Sequence, residues 1–589
     1  MTEKWIQLNT LREERSEGAG KAAVAAVVAE GSLSERFAEL PVVLQLLHGR
    51  GIHNQAQADE FFHPSLQKLH DPFLMPGMDR AVRRLNEAMG AKEKILVYGD
   101  YDVDGTTAVA LVYKYLSQFY SGIDFYIPGR YDDGYGISKT VIDHAADAGI
   151  KLIIILDCGI KANEEIAYAK TKGIDFIICD HHVAGDELPD AVAILNPKLE
   201  GSTYPCPHLS GCGVGYKLMQ AFAISNGLPV ARLESLLDLV AVSIAADIVP
   251  MVGENRILTY HGLRRLNSNP NMGLRGIMKI CGLGQGKEIT ISDVIFKIGP
   301  RINASGRMQS GREAVELLVA RDAAEAYHKA KDIDQYNKDR KELDKQITDE
   351  ANAILEQRNE ESSPKKSIVI YNKDWHKGII GIVASRLTEL YYKPAVVLTL
   401  INGLASGSSR SVQGFDIYKA VESCADILEN FGGHPYAVGL SMKQERIPEF
   451  TRRFEEYVAA NITSEQMKPA VEIDAEIPFS AITPALMAAL RKFNPFGPGN
   501  LKPVFMTSGV TDAGTSKIVG KHLEHIKLDM IHRDSPSVTV NGIAFNAAGM
   551  FDRIHDGKPF TVVYTIEENK HHAADSPIQL LVKNIKFDD

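Results

Sequence analysis

A chain of 589 residues is too long for one hydrophobic core and implies about three or four domains. Its 45% apolar and 24% charged residues make an ordinary globular composition. No apolar run nears the roughly 20 residues of a membrane span, and Met1-Thr2-Glu3-Lys4-Trp5 lacks the basic and apolar regions of a signal peptide, so no membrane and a cytoplasmic location are expected. The formal charge of -10 argues against a protein coated in nucleic acid but leaves room for a narrow basic channel. The six cysteines are scattered without paired spacing, which fits a reducing compartment. Cys206, His208 and Cys212 lack the second ligand pair that a finger-like metal clip needs.

In chain order, residues up to about 75 read as a small, mainly helical lead-in around the apolar Leu40 to Leu47. From Met78 to Asn267 helices and short strands alternate: Ala81 to Met89 helical, Ile95 to Tyr98 strand, Thr106 to Phe119 helical, Asp124 to Pro128 strand. Buried runs follow at Leu152 to Leu156, Phe176 to Cys179 and Val192 to Leu195, the pattern of a parallel sheet. Leu236 to Asp247 reads as an apolar helix stopped by Pro250. Arg312 to Glu361 predicts one long, charge-rich, solvated helix ended by Ser362-Ser363-Pro364. A second alpha/beta unit follows, with strand Ser367 to Tyr371, helix Ile379 to Leu390 and strand Ala395 to Leu400. From about Pro469 short strand patterns and turn residues predict a small beta barrel.

Three of the strand-like runs end in acidic or histidine residues. Ile95 to Val97 leads into Tyr98-Gly99-Asp100-Tyr101-Asp102-Val103-Asp104-Gly105, Leu152 to Leu156 into Asp157-Cys158-Gly159, and Phe176 to Cys179 into Asp180-His181-His182. In an open parallel sheet the ligand crevice lies beyond the carboxyl ends of the strands, so these termini converge. Asp100, Asp102 and Asp104 alternate, and an extended segment would send all three to one face. Carboxylates so crowded cannot all ionise in a dry cleft unless divalent cations neutralise them, and oxygen ligands mixed with histidine suit Mn2+ or Mg2+.

This constellation resembles the DHH phosphoesterase superfamily, named for the triplet at Asp180-His181-His182. The resemblance implies two divalent ions, Mn2+ preferred or Mg2+, bridged by Asp157. One ion takes Asp102 and Asp100; the other takes Asp104, His181 and the late carboxylate Asp247 of Ser243-Ile244-Ala245-Ala246-Asp247. Many members carry His where Tyr98 stands, so the first site is a ligand short or uses water. Asp157, His182 and His434 are the implied catalytic residues, His182 as phosphate contact or proton donor.

Phe431-Gly432-Gly433-His434-Pro435 is similar to the Gly-Gly-His signature of the DHHA1 domain, where Gly432 and Gly433 admit close approach to a phosphate and His434 contacts the scissile group. Asp374-Trp375-His376-Lys377-Gly378 also resembles that domain. Arg301-Ile302-Asn303-Ala304-Ser305-Gly306-Arg307-Met308 reads as one phosphate-reading loop, and Arg130 and Ser408-Ser409-Arg410 have the same character. That segment and Phe493-Asn494-Pro495-Phe496-Gly497-Pro498-Gly499-Asn500 resemble the superfamily branch that degrades single-stranded DNA from the 5' end, in DNA repair and recombination.

The implied architecture is α/β: a parallel-sheet DHH domain (78–311), a long connecting helix (312–366), a second α/β DHHA1 domain (367–462) and a β-barrel OB-fold domain that binds single strands (463–589), behind the helical region 1–77. Arg130, Ser409 and Arg410 would anchor a 5' phosphate, while Arg301, Asn303 and Arg307 hold the strand near the cut. Phe505 and Tyr564 are either strand contacts or barrel core. Single-stranded DNA is the expected partner of a monomer, with a RecQ-type helicase and a single-strand-binding protein cooperating. The rival readings are a DHH phosphodiesterase for short oligonucleotides or cyclic dinucleotides, and a catalytically silent single-strand-binding scaffold. The retained acidic and histidine residues favour an enzyme.

Overall fold

The computed structural model describes residues 4–8, 33, 37, 39–130, 136–358, 365–533, 535–569 and 578–587. The chain divides into two compact units, one built from residues 70–247 and 261–469, the other from 4–69, 248–260 and 470–589.

The first unit opens with a five-stranded sheet in the order Ile123–Tyr126, Lys94–Gly99, Ile150–Leu156, Asp175–Cys179, Ala193–Leu195, all neighbours parallel. Ile150–Leu156 is buried at every position but Lys151, as a strand covered by helices on both faces requires. Register pairs Gly99 with Leu156, Leu156 with Cys179 and Cys179 with Leu195. Asp100, Asp157 and Asp180 are the next residues of their strands and emerge side by side at one edge. The winding reverses between Lys94–Gly99 and Ile150–Leu156, which opens the crevice where Asp100 and Asp157 stand.

After Gly99 the chain does not stay extended. Asp102 caps the helix Val103–Leu116 by accepting the N–H of Gly105 at 3.0 Å, so Asp104 sits in the first helical turn. The alternation argument for the three aspartates is therefore replaced by a strand end, a cap and a helix. Arg301 to Met308 likewise forms the helix Gly299–Met308 rather than a loop: Pro300 occupies its first turn, and Gly306 is required because a Cβ there would lie 2.4 Å from the Tyr101 carbonyl oxygen.

The stretch expected as one long helix is two, Gly311–Leu318 and Ala323–Gln357, because Asp322 accepts the N–H groups of Ala324 and Glu325 and starts the second. Ser362-Ser363-Pro364 lies outside the described residues. The 35-residue helix is not solvated all round: Ala326, Ala330, Ile333, Asn337, Asp344, Ile347 and Ala351 form one buried stripe. Its first half packs on Met272–Ile280, where a Cβ on Gly276 would stand 2.7 Å from the Ala326 oxygen. Its second half shares a core with Trp375, Ile379 and Val383. The second sheet runs Asn430–His434, Ala437–Lys443, Leu404–Arg410, Ala395–Ile401, Ile368–Tyr371, antiparallel except for the last pair.

In the second unit, Phe505–Asp512, Phe560–Glu568, Ile578–Phe587, Ser535–Ala544 and His525–His532 close into a barrel through the pairing of the first with the last. Phe505 and Tyr564 are fully buried in it, and Tyr564 shares a hydrogen bond of 2.7 Å with Thr507 Oγ1. They are core, not strand contacts. Residues 4–69 belong to the same unit: Lys4–Gln7 pairs with Ala470–Ile473, and Val42, Val43, Leu46 and Leu47 share a core with Leu486, Phe493, Phe505 and Phe560. Among the described residues no helix is long and apolar enough to cross a membrane.

Candidate metal centre and its basic flank

Asp104 is held by three hydrogen bonds. Its Oδ2 accepts the Gly211 N–H, and its Oδ1 accepts Cys212 N–H and Ser243 Oγ–H, each at 2.7 Å. The two amides open the helix Gly211–Ser225, so a buried carboxylate meets the positive end of a helix. Burial and then the charge of Asp102 nevertheless push it up to about 6. Asp157 has φ +60°, and a Cβ on Gly211 would lie 2.6 Å from its Cβ. Burial, then Asp104, Asp102, Asp247 and Asp100, hold its carboxyl well above the usual range. Burial and Asp102 raise Asp100 to about 8; burial, Asp104 and Asp102 do the same for Asp247.

His181 Nε2 lies 3.1 Å from Asp157, 3.5 Å from Asp247 and 3.7 Å from Asp104. Burial and then the charges of His182 and Lys198 lower it to about 3, so these are contacts of a neutral ring. Ligand atoms converge in overlapping sets: Asp100, Asp102, Asp157; Asp104, His181, Asp247; and Asp157, His181, His182. Asp100 Oδ1, Asp157 Oδ1 and His181 Nε2 are buried with no hydrogen-bond partner among the described residues. Unpartnered acceptors that repel one another, with an uncharged imidazole nitrogen aimed among them, fit divalent cations. Asp157 belongs to two of the three sets, the one with Asp100 and Asp102 and the one with His181 and His182.

Asp180 holds the triplet without joining those sets. Its Oδ1 accepts the N–H groups of His181 and His182 at 2.7 and 3.1 Å and meets His182 Nδ1 at 2.7 Å; its Oδ2 accepts Ile160 N–H at 3.0 Å. Burial opposes its charge, but the bonds and charge of His182 outweigh it and bring Asp180 to about 2. Burial likewise works against protonated His182, and Asp180 overcomes it to raise the ring. Tyr98, whose position the resemblance linked to a His ligand, is otherwise engaged: its hydroxyl donates to Gly136 O at 2.6 Å and its ring stacks on Tyr126 at 5.8 Å.

Beside this centre lies a basic flank. Arg130 stacks on the Tyr101 ring at 3.9 Å and donates to Gly306 O at 3.2 Å. Arg307 donates to Gly378 O at 2.9 Å, joining the two sheets' surroundings, and burial followed by Arg130, Arg340 and Arg410 lowers it to about 10. Arg410 donates to Ser408 Oγ and Ser409 O. Asn303 Oδ1 accepts the Val103 N–H at 3.2 Å, which fixes the Asp102 turn. His434 is exposed at the end of an edge strand, within the fields of Arg410 and His182.

Other residues named from the sequence are otherwise engaged. Arg301 pairs with Asp334 at 2.9 Å and donates to Lys297 O, because on a helix it lies about 120° away from Arg307 whereas Asn303 lies about 40° away. The Ser409 hydroxyl is fully buried and spent on the backbone of Val438, at 3.1 and 3.0 Å. Gly433, at φ +154°, is demanded by its hairpin, since a Cβ would stand 2.2 Å from Ala437 O; around Gly432 the space is open. Asp180, Ser243 and the Gly211-Cys212 amides were missed. Asp180 had a signal in its place within the triplet, while Ser243 and Gly211, over a hundred residues from Asp104, had none. Arg340, whose charge acts on Arg307, was hidden in a stretch that read as a solvated helix.

The DHH family N-terminal domain model matches residues 94–244, the DHHA1 domain model 365–460 and the RecJ OB domain model 473–584. The single-stranded-DNA-specific exonuclease RecJ of Bacillus subtilis (strain 168) is 36% identical over 557 residues, covering 94% of this chain and 69% of its own. That of Dickeya dadantii (strain 3937) is 31% identical over 565 residues, covering 93% and 96%. The crystal structure of RecJ in complex with Mn2+ from Thermus thermophilus superposes with a TM-score of 0.79 at 25% identity, over 93% of this chain and 76% of that one.

Proposed function

The chain belongs to the RecJ family of DHH phosphoesterases, and from that premise we propose that it removes nucleotides from the 5' end of single strands at the crevice around Asp157. It is a metal-dependent exonuclease specific for single-stranded DNA, working with two divalent ions, Mn2+ or Mg2+, in DNA repair and recombination. The observation that carries the proposed mechanism is the pair of ligand sets joined through Asp157, with guanidinium groups beside them.

Asp100 and Asp102 would hold one ion, Asp104, His181 and Asp247 the other, and Asp157 both. When bound, such a pair supplies a nucleophilic water at neutral pH and Lewis acidity toward the scissile phosphate. Asp180 favours the protonated form of His182 and aims the ring, which contacts a phosphate oxygen or gives its proton to the leaving oxygen. Arg307, which meets the field of three other arginines, binds the phosphate next to the cut, and Asn303 fixes the Asp102 turn. Arg130 and Arg410 face the 5' phosphate, and His434 approaches the scissile group from the second sheet. Ser409 contributes through its backbone carbonyl to Arg410 and not through its hydroxyl.

A single-strand enzyme needs duplexes opened and strands kept straight, which supports a RecQ-type helicase and a single-strand-binding protein as partners of a cytoplasmic monomer. Sedimentation tests the monomer; limited proteolysis tests the proposed limits 78–311, 367–462 and 463–589.

Single strands labelled at either end, with Mn2+, should release mononucleotides from the 5' end while blunt duplex survives. Release beginning at the 3' end, or activity on dinucleotides alone, overturns the proposal. Asp157→Ala should abolish cleavage and leave the fold intact.

A further inference from the structure

Asn196 and Lys198 follow the strand Ala193–Leu195. Leu195 is in register with Cys179, and its carbonyl accepts the Asp180 N–H at 3.0 Å, so the residues after it enter the same crevice as the Asp180-His181-His182 triplet. Asn196 is 1% exposed. Its Nδ2 donates to the His182 carbonyl and its Oδ1 accepts the Lys198 N–H, both at 2.9 Å. One buried amide thus fixes the backbone of Lys198 against that of His182, with Pro197 restricting the link between them.

Lys198 is exposed to solvent, and its ammonium stands in the field of Asp247, Asp180 and Asp157. It forms no ion pair among the described residues. An exposed ammonium on a backbone tied to His182, in the field of carboxylates yet in an ion pair with none of them, is available to an anion entering the crevice. Once cations neutralise the carboxylates, that anion is the polymer's phosphate. A counter-charge that merely offset acidic repulsion would be expected to close a salt bridge.

We propose that Lys198 is a further substrate-binding residue whose ammonium takes a non-bridging oxygen of the DNA phosphate in the crevice, with Asn196 as its positioning residue. The inference rests on the single-strand exonuclease reading.

The full chain and its Lys198→Ala and Lys198→Arg variants are compared in saturating Mn2+, with Lys94→Ala, at the opposite end of the sheet, as control. Lys198→Ala should lower kcat/KM by about 10- to 100-fold, the loss of one charge-assisted bond. The slope of log KM against log salt should fall by about 0.7, the release of one phosphate contact on a single strand. Mn2+ affinity by calorimetry and melting temperature should stay at wild-type values. Lys198→Arg should recover most of the rate, and a neutral methylphosphonate at the contacted linkage should remove the difference between wild type and Lys198→Ala. Wild-type kinetics for Lys198→Ala, or a loss that comes with weaker Mn2+ binding and an unchanged salt slope, overturns the proposal. Failure of the wild type and of Lys94→Ala to digest single strands overturns the reading beneath it.

Discussion

Gly211 lies against Asp157 so closely that a methyl group would meet Asp157 Cβ at 2.6 Å and Oδ1 at 2.7 Å, while the Gly211 amide holds Asp104. Both carboxylates are nearly free of solvent, so neither can yield without moving a ligand. Gly211→Ala should therefore displace Asp157, the proposed shared ligand, and cost about 100-fold in kcat, as misplacement near 1 Å does. Calorimetric Mn2+ titration should show weakened binding, with circular dichroism unchanged.

The carboxylates also set how the metal-free protein responds to pH. Asp100 and Asp247 rise to about 8 and Asp104 to about 6 from an ordinary value of 3.8, burial being the first cause in each. The native state thus binds these protons more tightly than the unfolded chain. The stabilisation is complete below about pH 4 and is lost as pH rises through 6 and 8. Scanning calorimetry with chelator should show a lower melting temperature at pH 8.5 than at pH 5.5, and saturating Mn2+ should reverse that order by binding the ionised form.

Gly306 presses on the far side of the Asp102 turn, where an added Cβ would lie 2.4 Å from the Tyr101 carbonyl oxygen. Arg130 stacks on the Tyr101 ring and donates to Gly306 O, so the residue supports a guanidinium twice. Gly306→Ala should raise KM for 5'-phosphorylated single strands by about tenfold and erase most of the preference over 5'-hydroxyl strands. Mn2+ affinity should change far less than in Gly211→Ala.

The acidic cluster was legible because continuous apolar runs ending in acids fix both a buried parallel strand and the edge from which its next residue leaves. The structure gathers those residues, though the alternation argument for them fails: Asp102 caps a helix, and a cap uses the same residue type as a ligand. The arginines were only partly legible, since treating Arg301 to Met308 as a loop hid the angular separation that sends Arg301 to Asp334. Ser409 read as a phosphate contact because a sequence does not say which strand faces a hydroxyl; Val438 takes both its bonds. The lead-in helix was visible, but its partners lie more than four hundred residues away, and local patterning carries no such information.

Arg256 tests that long-range packing in the second unit. Its guanidinium is 5% exposed and donates to the carbonyls of Phe61, Lys492, Phe493 and Pro495 at 2.8 to 3.3 Å, while lying 3.9 Å over the Phe61 ring. Asn500 Nδ2 donates to two of the same carbonyls, those of Phe493 and Pro495. The segment Phe493 to Asn500 is thus a backbone clasp around one buried cation, and it joins the Gln55–Phe62 helix to residues that follow the Pro484–Arg491 helix. Arg256→Ala leaves several buried acceptors short of a donor and should cost about 3 kcal/mol or more. Arg256→Lys should recover little, because an ammonium has no planar fork to span carbonyls on two segments. Urea titration followed by calorimetry should show the barrel-containing unit melting earlier in both variants. A transition unmoved in Arg256→Ala would mean that the apolar contacts of Phe61, Phe62 and Phe493 hold the clasp without the cation.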